Sequence, residues 1–440
     1  MPKQIKCLVL LIPYLLSISA FADELARRAV WGASFKPLQP TGREVSSIIA
    51  GSPLAAADLQ PGDILLAVNG NVISSGQIWN DISDALVADK PYRLTLKRQG
   101  KTHHVDVTFT AAVKEEYEGI DVEYGVVSSD YLVKQRTITT IPTSENPLPA
   151  IFVIGGLSCS SIEYTPGRQS NFIKTLQYLV QHANMVVSRI EKPGLGDSEG
   201  DCSQTDFNTE LNGYEVALQA LLKHPMVDNK KVMIYGSSMG AAIAPYFVNK
   251  YQLNGIISDG PWYRTWFEHM LEIERRLQRM NGQPESEVNR RINEVYIPLY
   301  YGMLIQEQSY QQLTDLNPLL KPFNYHAGEH MYGRPVSFYH QLQDFDIAGE
   351  WAKLDVPVRV RWGTNDWIMS EYDIDMIAEV LAENGNTNVV VEKYPNMDHW
   401  YTLHESALNS YQGKPGKWDE HIAQQVVDWA QGINHKSNRP

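Results

Sequence analysis

The stretch that decides the fold of this 440-residue chain is Val232-Met233-Ile234-Tyr235-Gly236-Ser237-Ser238-Met239-Gly240-Ala241-Ala242-Ile243-Ala244. Its apolar start predicts a buried strand, and the alanine-rich residues after Gly240 predict a helix. Between them lies the pattern G-x-S-x-G, whose glycines permit a crowded, strained turn that holds the Ser238 hydroxyl clear of the sheet. Strand, turn and helix in immediate succession therefore indicate a nucleophile elbow, with Ser238 as the nucleophile.

A serine hydroxyl is a poor nucleophile unless a base takes its proton and an acid orients that base. In the architecture that carries this elbow, the acid and then the histidine follow the serine along the chain. The predicted strand Val356–Trp362 is followed by Asp366, and the last predicted strand, Val389–Tyr394, is followed by His399. We therefore predict Asp366 as the acid and His399 as the base.

Two other aspartates lie near these positions. Asp259 follows the strand after the elbow, where some proteins of this architecture carry the acid, so it competes with Asp366 for that role. Asp398 directly precedes His399 and cannot easily orient the ring of its own neighbour. We therefore predict a structural role for Asp398.

Acyl transfer also needs hydrogen-bond donors aimed at the developing oxyanion. The backbone amide of Met239, directly after the nucleophile, is one predicted donor. The other is expected from the loop Gly155-Gly156-Leu157-Ser158-Cys159, which follows the predicted strand Ala150–Ile154. The position that matches the second donor is Leu157, with Gly156 as the alternative.

Outward from the elbow, short apolar runs alternate with helical patterns. This alternation predicts an α/β protein with a mostly parallel sheet covered by helices on both faces. The glycine-containing stretch 191–200 follows one of these strands, but its spacing does not match a dinucleotide-binding fingerprint. We therefore predict no cofactor.

Taken together, these motifs in residues 113–436 resemble the α/β-hydrolase fold, and specifically its secreted, esterase-like members. The resemblance implies a serine hydrolase that cleaves small ester or acyl substrates through an acyl-enzyme. One departure is Gly155, which stands where such proteins often carry a histidine before the oxyanion glycine. The departure alters the hydrogen bonding of the loop but leaves the amide donors in place.

The interval 261–350 is too long for a single connection, and its position matches the helical cap of many α/β-hydrolases. Apolar residues recur in it at helical spacing from Trp266 to Met280, which predicts an amphipathic helix. Aromatic residues are frequent, including Trp262, Tyr263, Tyr300, Tyr301, Phe338 and Tyr339. One interpretation is that these rings line an acyl or aryl pocket above Ser238. The other, which we expect for most of them, is that they form the core of the insertion itself.

A metal site in the same interval would need a recognisable ligand spacing. His326, Glu329 and His330 are close in sequence but match no strong metal-binding motif. No metal is predicted.

Residues 23–112 form a predicted mainly-β domain. Its centre is Ser52-Pro53-Leu54-Ala55-Ala56-Ala57-Asp58-Leu59-Gln60-Pro61-Gly62-Asp63-Ile64-Leu65, a capped helix start followed by a strand, and Asn69-Gly70 then predicts a tight hairpin. This order resembles a bacterial PDZ domain, which implies binding of an extended C-terminal peptide along a sheet edge. The matching carboxylate loop is Val30-Trp31-Gly32-Ala33. Because Trp31 is bulky for this position, the alternative is a module that packs on its neighbour and binds nothing.

The first residues combine Lys3 and Lys6 with the apolar run Cys7–Leu16 and a small-residue end, Ala20-Phe21-Ala22. This pattern predicts a cleavable signal peptide over residues 1–22. A membrane anchor is the alternative, but the run is interrupted by a proline and is shorter than a bilayer span. The remaining chain contains no apolar stretch long enough to span a membrane, so we predict an exported protein, periplasmic or secreted.

Removal of the signal leaves two cysteines, Cys159 and Cys202. In the α/β-hydrolase fold the strands that precede them lie side by side, so the resemblance places both thiols at the same end of the sheet. In an oxidising compartment we therefore predict a disulfide between them.

Composition narrows the classes of function. The chain is 43% hydrophobic and 20% charged, which excludes a mainly disordered protein, and its formal charge of −13 argues against a nucleic-acid partner. The leading hypothesis is a serine hydrolase that cleaves carboxylic esters. A serine peptidase is the enzymatic alternative, and a non-enzymatic binding protein on a hydrolase scaffold is the alternative from another class.

Overall fold

The computed structural model describes residues 25–38, 42–164, 169–323 and 330–436. The predicted signal peptide, residues 1–22, lies outside the described residues, as do His326 and Glu329. Within these ranges, no helix is both long enough and apolar enough to cross a bilayer.

The N-terminal part of the chain forms an antiparallel sheet with two short helices. The elements are β1 (Ala33–Phe35), β2 (Arg43–Ile48), α1 (Pro53–Ala56), β3 (Ile64–Val68), β4 (Asn71–Val72), α2 (Gly76–Ala85), β5 (Pro91–Arg98) and β6 (Lys101–Thr108). The strand order is β1-β2-β3-β5-β6, with β4 paired to β3. Helix α1 begins as its sequence predicts, because the Ser52 hydroxyl accepts a hydrogen bond from the Ala55 amide at 3.2 Å.

The second part of the chain begins with six strands and three helices: β7 (Ile120–Ser128), β8 (Lys134–Pro142), β9 (Leu148–Ile154), α3 (Asn171–His182), β10 (Val186–Ile190), α4 (Phe207–Leu222), β11 (Val227–Ser237), α5 (Met239–Tyr251) and β12 (Gly255–Asp259). A helical insertion follows, with α6 (Trp266–Met280), α7 (Glu285–Arg291), α8 (Ile297–Tyr300), α9 (Tyr310–Leu316), β13 (His330–Met331), β14 (Arg334–Pro335), α10 (Val336–Gln343) and α11 (Ile347–Ala352). The chain then returns to the sheet through β15 (Val358–Gly363), α12 (Glu371–Glu383), β16 (Val389–Tyr394), α13 (Ala407–Tyr411) and α14 (Glu420–Lys436).

These strands form an eight-stranded sheet in the order β16-β15-β12-β11-β9-β10-β8-β7. Every neighbouring pair from β16 to β10 is parallel, whereas β8 runs antiparallel to both β10 and β7. From β9 onward, consecutive strands of this sheet are separated by helices, which is the connection that parallel pairing requires. The arrangement is that of an α/β-hydrolase-type sheet, with the elbow strand β11 at its centre.

Both faces of the central strands of this sheet are buried, which explains why β9, β10, β12 and β15 read as mainly apolar runs. Along β9, Phe152 and Ile154 pack in one core cluster, and Ile151 and Val153 pack in another. Helices α4 and α5 cover the first face, and α3 and α14 cover the second. The central strands are therefore held rigidly, and the loops at their carboxyl ends are well placed to carry a site.

The two sheets are joined by ion pairs at the start of the described chain. One Arg27 guanidinium nitrogen lies 2.7 Å from Asp197, and the other lies 2.7 Å from Glu163. Arg136 of β8 binds the same Asp197 at 3.0 Å and also donates to the Leu25 carbonyl. The N-terminal sheet is thereby anchored to loops that follow β9 and β10.

Candidate active site

Ser238 lies at the sharp turn between β11 and α5. Its backbone has a φ of +56° and a ψ of −119°, a strained conformation for a residue with a side chain. The turn is held by the Ser238 amide, which donates to the Asp259 carbonyl at 2.8 Å. The side chain consequently stands at the edge of the sheet with Met239 beginning the helix behind it.

The two glycines of G-x-S-x-G are required by close backbone contacts. A Cβ at Gly240 would lie 2.1 Å from the Ile154 carbonyl oxygen, and a Cβ at Gly236 would lie 2.5 Å from the Gly240 carbonyl oxygen. Because backbone atoms cannot move aside, only glycine fits these positions.

The structure brings Ser238, His399 and Asp366 together at this edge. His399 Nε2 lies 2.9 Å from Ser238 Oγ, and His399 Nδ1 lies 2.8 Å from Asp366 Oδ2. The second carboxylate oxygen of Asp366 accepts from the amides of Ile368 and Met369, each at 2.8 Å. With Nδ1 donating to Asp366, a neutral ring carries its lone pair on Nε2, where it can accept the serine proton.

Electrostatics at His399 favour the imidazolium. Burial alone would lower the pKa of His399, but the adjacent Asp366 carboxylate outweighs this and raises the pKa above its ordinary value. More distant carboxylates at Asp398 and Asp259 act in the same direction. The site is thus arranged to stabilise a histidine that has taken up a proton.

The competing aspartates have other partners. Asp259 makes a two-pronged ion pair with Arg361, with both N···O distances 2.7 Å, and accepts from the Tyr235 hydroxyl. Asp398 accepts from the amides of Trp400 and Thr402, from Ser410 and from His404. Neither carboxylate hydrogen-bonds His399, since only Asp366 does so among the described residues.

The loop after β9 lies against the nucleophile. A Cβ added at Gly156 would lie 3.2 Å from Ser238 Cβ, so the loop backbone faces the serine directly. The Leu157 amide donates no hydrogen bond within the described part of the chain. The Met239 amide is at the first position of α5, where helix geometry leaves N–H groups without an intrahelical acceptor. Neither predicted donor amide is therefore committed to an acceptor within its own element, and the loop that carries Leu157 faces Ser238 through Gly156.

A cavity of about 420 Å³ opens over Ser238 and His399. Its wall includes residues 155–158 of the predicted oxyanion loop, which spans Gly155–Cys159, together with Ile162, Ile173 and Ile190. The aromatic side chains in the wall are Phe172, Tyr214, Trp266, Tyr332, Trp367, Trp400 and Tyr401. The cavity is thus mainly apolar, with a few polar groups at the end where Ser238 lies.

The aromatics of the insertion divide between the two roles expected for them. Trp266 and Tyr332 line the cavity. None of the six residues named from the sequence lines it. Trp262, Tyr300, Phe338 and Tyr339 are buried in the core cluster that the insertion shares with one face of the main sheet, Tyr263 packs against this cluster, and Tyr301 is exposed. The cavity aromatics that sequence reasoning missed include Trp367 and Trp400, which come from loops after β15 and β16.

Cys159 and Cys202 are joined in a disulfide, with Cα atoms 5.8 Å apart. The bond links the oxyanion loop after β9 to the loop after β10, because these two strands are parallel neighbours. Arg334 of β14 donates to both sulfur atoms and pairs with the buried Glu210 of α4. The insertion is thereby tied to the base of the loop.

Lys192 is a further residue that sequence reasoning missed. It follows β10 directly, is buried, and lines the cavity with its ammonium group near the oxyanion loop. Charged side chains at the end of a buried parallel strand are a weak sequence signal, because most loop lysines are solvated. Among the described residues no cluster of three or more His, Cys, Asp and Glu side chains is arranged to hold a metal ion.

Comparison with known proteins identifies the N-terminal domain. A family model described as a PDZ domain matches residues 44–98, which covers most of the first sheet. The chain is also 38% identical over 72 residues to Metalloprotease MmpA of Caulobacter vibrioides, an alignment that covers 16% of this chain and 17% of that protein.

A second relative matches most of the chain. Esterase EstD of Thermotoga maritima is 23% identical over 344 residues, which cover 76% of this chain and 75% of that protein. Among solved structures, a Pyrococcus furiosus esterase aligns with a TM-score of 0.45 and 13% identity, over 73% of this chain and 96% of that one. The chain thus contains a PDZ domain at residues 44–98, and most of its length is similar to a carboxylesterase-like hydrolase.

Proposed function

We propose that this protein hydrolyses carboxylic esters through an acyl-enzyme formed on Ser238. The observation that carries the proposal is the continuous hydrogen-bonded chain from Ser238 through His399 to Asp366, at the end of an apolar cavity. The similarity to Esterase EstD supports the same class of reaction. The three side chains follow β11, β15 and β16, and because these parallel strands belong to one sheet their carboxyl ends meet at the same edge.

In the first half-reaction Ser238 Oγ attacks the ester carbonyl carbon and its proton passes to His399 Nε2. The carbonyl electron pair moves onto oxygen, and the amides of Leu157 and Met239 stabilise the resulting oxyanion. When the tetrahedral intermediate collapses, the bond to the alcohol oxygen breaks and His399 returns the proton to the leaving alcohol. The acyl group remains as an ester on Ser238.

In the second half-reaction water takes the place of the alcohol. His399 accepts a proton from the water, whose oxygen attacks the acyl carbon. The intermediate collapses, Ser238 Oγ leaves with the proton from His399, and the carboxylic acid is released. Throughout, Asp366 keeps the imidazole oriented and stabilises its charged form without taking the proton.

We propose that the helical insertion acts as a cap that contacts the acyl or alcohol part of the substrate. Trp266, His269 and Ile273 lie on successive turns of α6 and line the cavity. Their apolar surfaces suit small acyl or aryl groups rather than charged ones.

Turnover of p-nitrophenyl acyl esters of graded length tests the ester assignment, with matched p-nitroanilides as the comparison. We expect ester hydrolysis that is lost in Ser238→Ala and much slower cleavage of the anilides. Preferential cleavage of the anilides would favour a peptidase. Absence of serine-dependent turnover in folded protein on either series would favour a non-enzymatic role.

We further propose that the PDZ domain docks the free carboxyl end of a partner peptide. Strand β1 is the terminal strand of its sheet, so its outer edge can accept an added strand. The Trp31 ring stacks on Trp79 at a centroid distance of 5.0 Å, and its Nε1 donates to Ser83, which ties the carboxylate loop to α2. A peptide would have to loosen this contact.

Fluorescence anisotropy with labelled peptides of free and amidated C-terminus tests docking on the full chain. We expect the free-carboxyl series to bind, and Trp31→Leu to tighten that binding by removing the contact with α2. If free and amidated peptides show the same affinity, both in wild type and in Trp31→Leu, the PDZ domain does not recognise a free carboxyl end and has a purely structural role.

We also propose that the protein is exported. The disulfide between Cys159 and Cys202 supports an oxidising compartment, since such bonds are rare where thiols are kept reduced. Fractionation of cells that make the full-length chain tests this: a mature protein lacking residues 1–22 outside the cytoplasm is expected. A full-length protein retained in the cytoplasm would contradict the proposal.

A further inference from the structure

Lys192 is a buried lysine that the proposed reaction sequence does not use. Its ammonium nitrogen lies 2.5 Å from the Gly156 carbonyl oxygen, 3.1 Å from that of Leu157 and 3.3 Å from that of Ser158. Three consecutive carbonyl groups of the oxyanion loop therefore converge on a single cation. A loop is seldom held in this way, because an ammonium group has only three donors and ordinarily stays in water.

The closest of these carbonyls has a direct relation to the predicted oxyanion donor. The Gly156 carbonyl and the Leu157 amide belong to one peptide group, and in a trans peptide the C=O and N–H bonds point in opposite directions. Lys192 holds the carbonyl side of this group. The N–H side is thereby turned away from Lys192. The loop itself lies against the nucleophile, since a Cβ added at Gly156 would lie 3.2 Å from Ser238 Cβ and 3.6 Å from Ser238 Oγ.

A positive charge on the carbonyl also strengthens the amide as a donor. Hydrogen bonds that share one peptide group polarise each other, and the effect is larger in a site with little water. The ammonium charge additionally favours negative charge that develops nearby. Position and charge of Lys192 thus act on the same amide.

The charge of Lys192 is itself fixed by groups on other elements. Glu210 of α4 lies 3.1 Å from the ammonium nitrogen, and its pKa is lowered because Lys192 and Arg334 outweigh the effect of burial. Arg334 approaches from β14 and opposes the charge on Lys192, whereas Glu191, the preceding residue, supports it. The oxyanion loop contributes only carbonyl groups to these contacts.

We propose that Lys192 is a positioning residue for the oxyanion hole, which orients and polarises the Gly156–Leu157 peptide group. The proposal rests on the ester hydrolysis proposed above. Lys192 acts only in the state in which an oxyanion exists. Loss of the lysine therefore affects the transition state and leaves ground-state binding of the substrate nearly unchanged.

The same contacts give the activity an alkaline limit. Burial lowers the pKa of Lys192 to about 8, despite the opposing effect of Glu210. As pH rises through this value the ammonium loses its charge and the peptide group loses polarisation, so kcat falls. On the acid side, kcat rises as His399 loses its proton, at a pH above the ordinary histidine pKa.

The experiment compares full-length wild type, Lys192→Met and Lys192→Arg, with Lys223→Met as a control at an exposed lysine of the same part of the fold. For each, kcat and KM on a p-nitrophenyl ester are measured from about pH 6 to about pH 10, the range over which a histidine and a lysine of lowered pKa titrate. Affinity for an alkyl boronic acid, which forms a tetrahedral adduct on the serine, is measured in parallel. A urea unfolding transition establishes that each variant is folded.

We expect Lys192→Met to lower kcat by about 10- to 100-fold with little change in KM, and to weaken boronate binding by a similar factor. In Lys192→Arg the decline of kcat at alkaline pH should move beyond about pH 10, because arginine stays charged. This shift is expected whatever the maximal kcat of the variant. Lys223→Met should behave as wild type.

The proposal is overturned if folded Lys192→Met retains the wild-type kcat and boronate affinity. If Lys192→Met does not fold, Lys192→Arg decides, and an unchanged alkaline limb overturns the proposal. A purely structural lysine would change the unfolding transition alone. Wild type without Ser238-dependent turnover would instead refute ester hydrolysis, and the role of Lys192 would fall with it.

Discussion

Asp366 and Asp259 lie at the ends of adjacent parallel strands, yet their surroundings give them different roles. Asp366 has one oxygen on His399 and the other on two backbone amides. Asp259 is fully engaged with Arg361 and Tyr235 in the interior. A carboxylate that already neutralises a buried guanidinium is not available to orient an imidazole.

Replacing either aspartate by asparagine keeps the shape of the side chain and removes its charge. The surroundings of Asp366 and Asp259 predict opposite consequences for this substitution. Asp366→Asn should lower kcat by about 10⁴-fold while the protein stays folded, because the ring would no longer be held in the required tautomer. Asp259→Asn should retain most of kcat but unfold at lower urea concentration, since Arg361 loses its buried counter-charge, at a cost of about 3 kcal/mol. Steady-state kinetics and urea denaturation of both variants measure this. The reverse pattern would make Asp259 the acid.

The catalytic candidates were predictable because each follows a strand in the order that an elbow architecture requires. Ser238 is marked by its glycines, and Asp366 and His399 by strands that end just before them. Lys192 follows β10 in the same manner, but a loop lysine carries no signal of its burial. Its partners, Gly156 and Glu210, lie on two other segments that only the folded sheet brings to it.

The oxyanion loop contains two adjacent glycines that differ in their surroundings. A Cβ at Gly156 would lie 3.2 Å from Ser238 Cβ, closer than most Cβ contacts, whereas a Cβ at Gly155 would meet only Ile162 at an ordinary 3.8 Å. The loop should therefore tolerate a methyl group at one position and shift at the other.

We accordingly predict that Gly156→Ala lowers kcat by at least about tenfold, because a displacement of a few tenths of an ångström misplaces the Leu157 amide relative to the carbonyl oxygen. Gly155→Ala should keep activity close to that of wild type. Kinetics of the two variants under identical conditions test the loop. Equal losses would mean that the loop backbone does not set the rate.

The disulfide closes a segment with a sequence separation of 43 residues. In the chain-entropy account a cross-link of this length stabilises the folded state by about 4 kcal/mol. Cys202→Ser should therefore lower the free energy of unfolding by roughly that amount, and the Cys159→Ser/Cys202→Ser pair should add little to it. Urea denaturation of oxidised protein measures both. No change on removal of the bond would show that the loops are held by other contacts, such as those of Arg334.

At the level of elements, the spacing of apolar residues and the capping and turn residues were sufficient to predict helices and strands. The spacing from Trp266 to Met280 matches α6 residue for residue, and Ile64–Val68 is β3 as the hairpin pattern predicts. The walls of the cavity were not predictable in this way. Trp367 and Trp400 lie in irregular loops, where the direction of a side chain depends on tertiary packing and leaves no periodic signal.

The whole molecule depends on the junction between its two sheets. Arg27 binds Asp197 and Glu163, and Glu163 belongs to the segment whose amides bind Glu191 behind the cavity wall. The Arg27 side chain thus connects the N-terminal part of the chain to a segment that borders the proposed active site, and the Arg28 amide reinforces the contact by donating to Asp197.

Arg27→Met is predicted to destabilise the protein by about 3 kcal/mol, because it leaves two largely buried carboxylates with less compensation. Arg93→Met breaks the exposed pair with Asp106 on the PDZ domain and serves as the control, with an unfolding midpoint expected to match wild type. Thermal and urea unfolding of the full chain report the difference. Equal midpoints for the two variants would show that the junction contributes little.

Ester hydrolysis by this protein requires Ser238 to be an activated nucleophile. Mass spectrometry of the full-length protein after reaction with a fluorophosphonate measures this most directly. We predict one adduct per chain, located on the peptide that contains Ser238 and absent from Ser238→Ala with an unchanged unfolding transition. Folded wild type that forms no adduct, or a Ser238→Ala variant that is labelled as fully as wild type, would contradict the account.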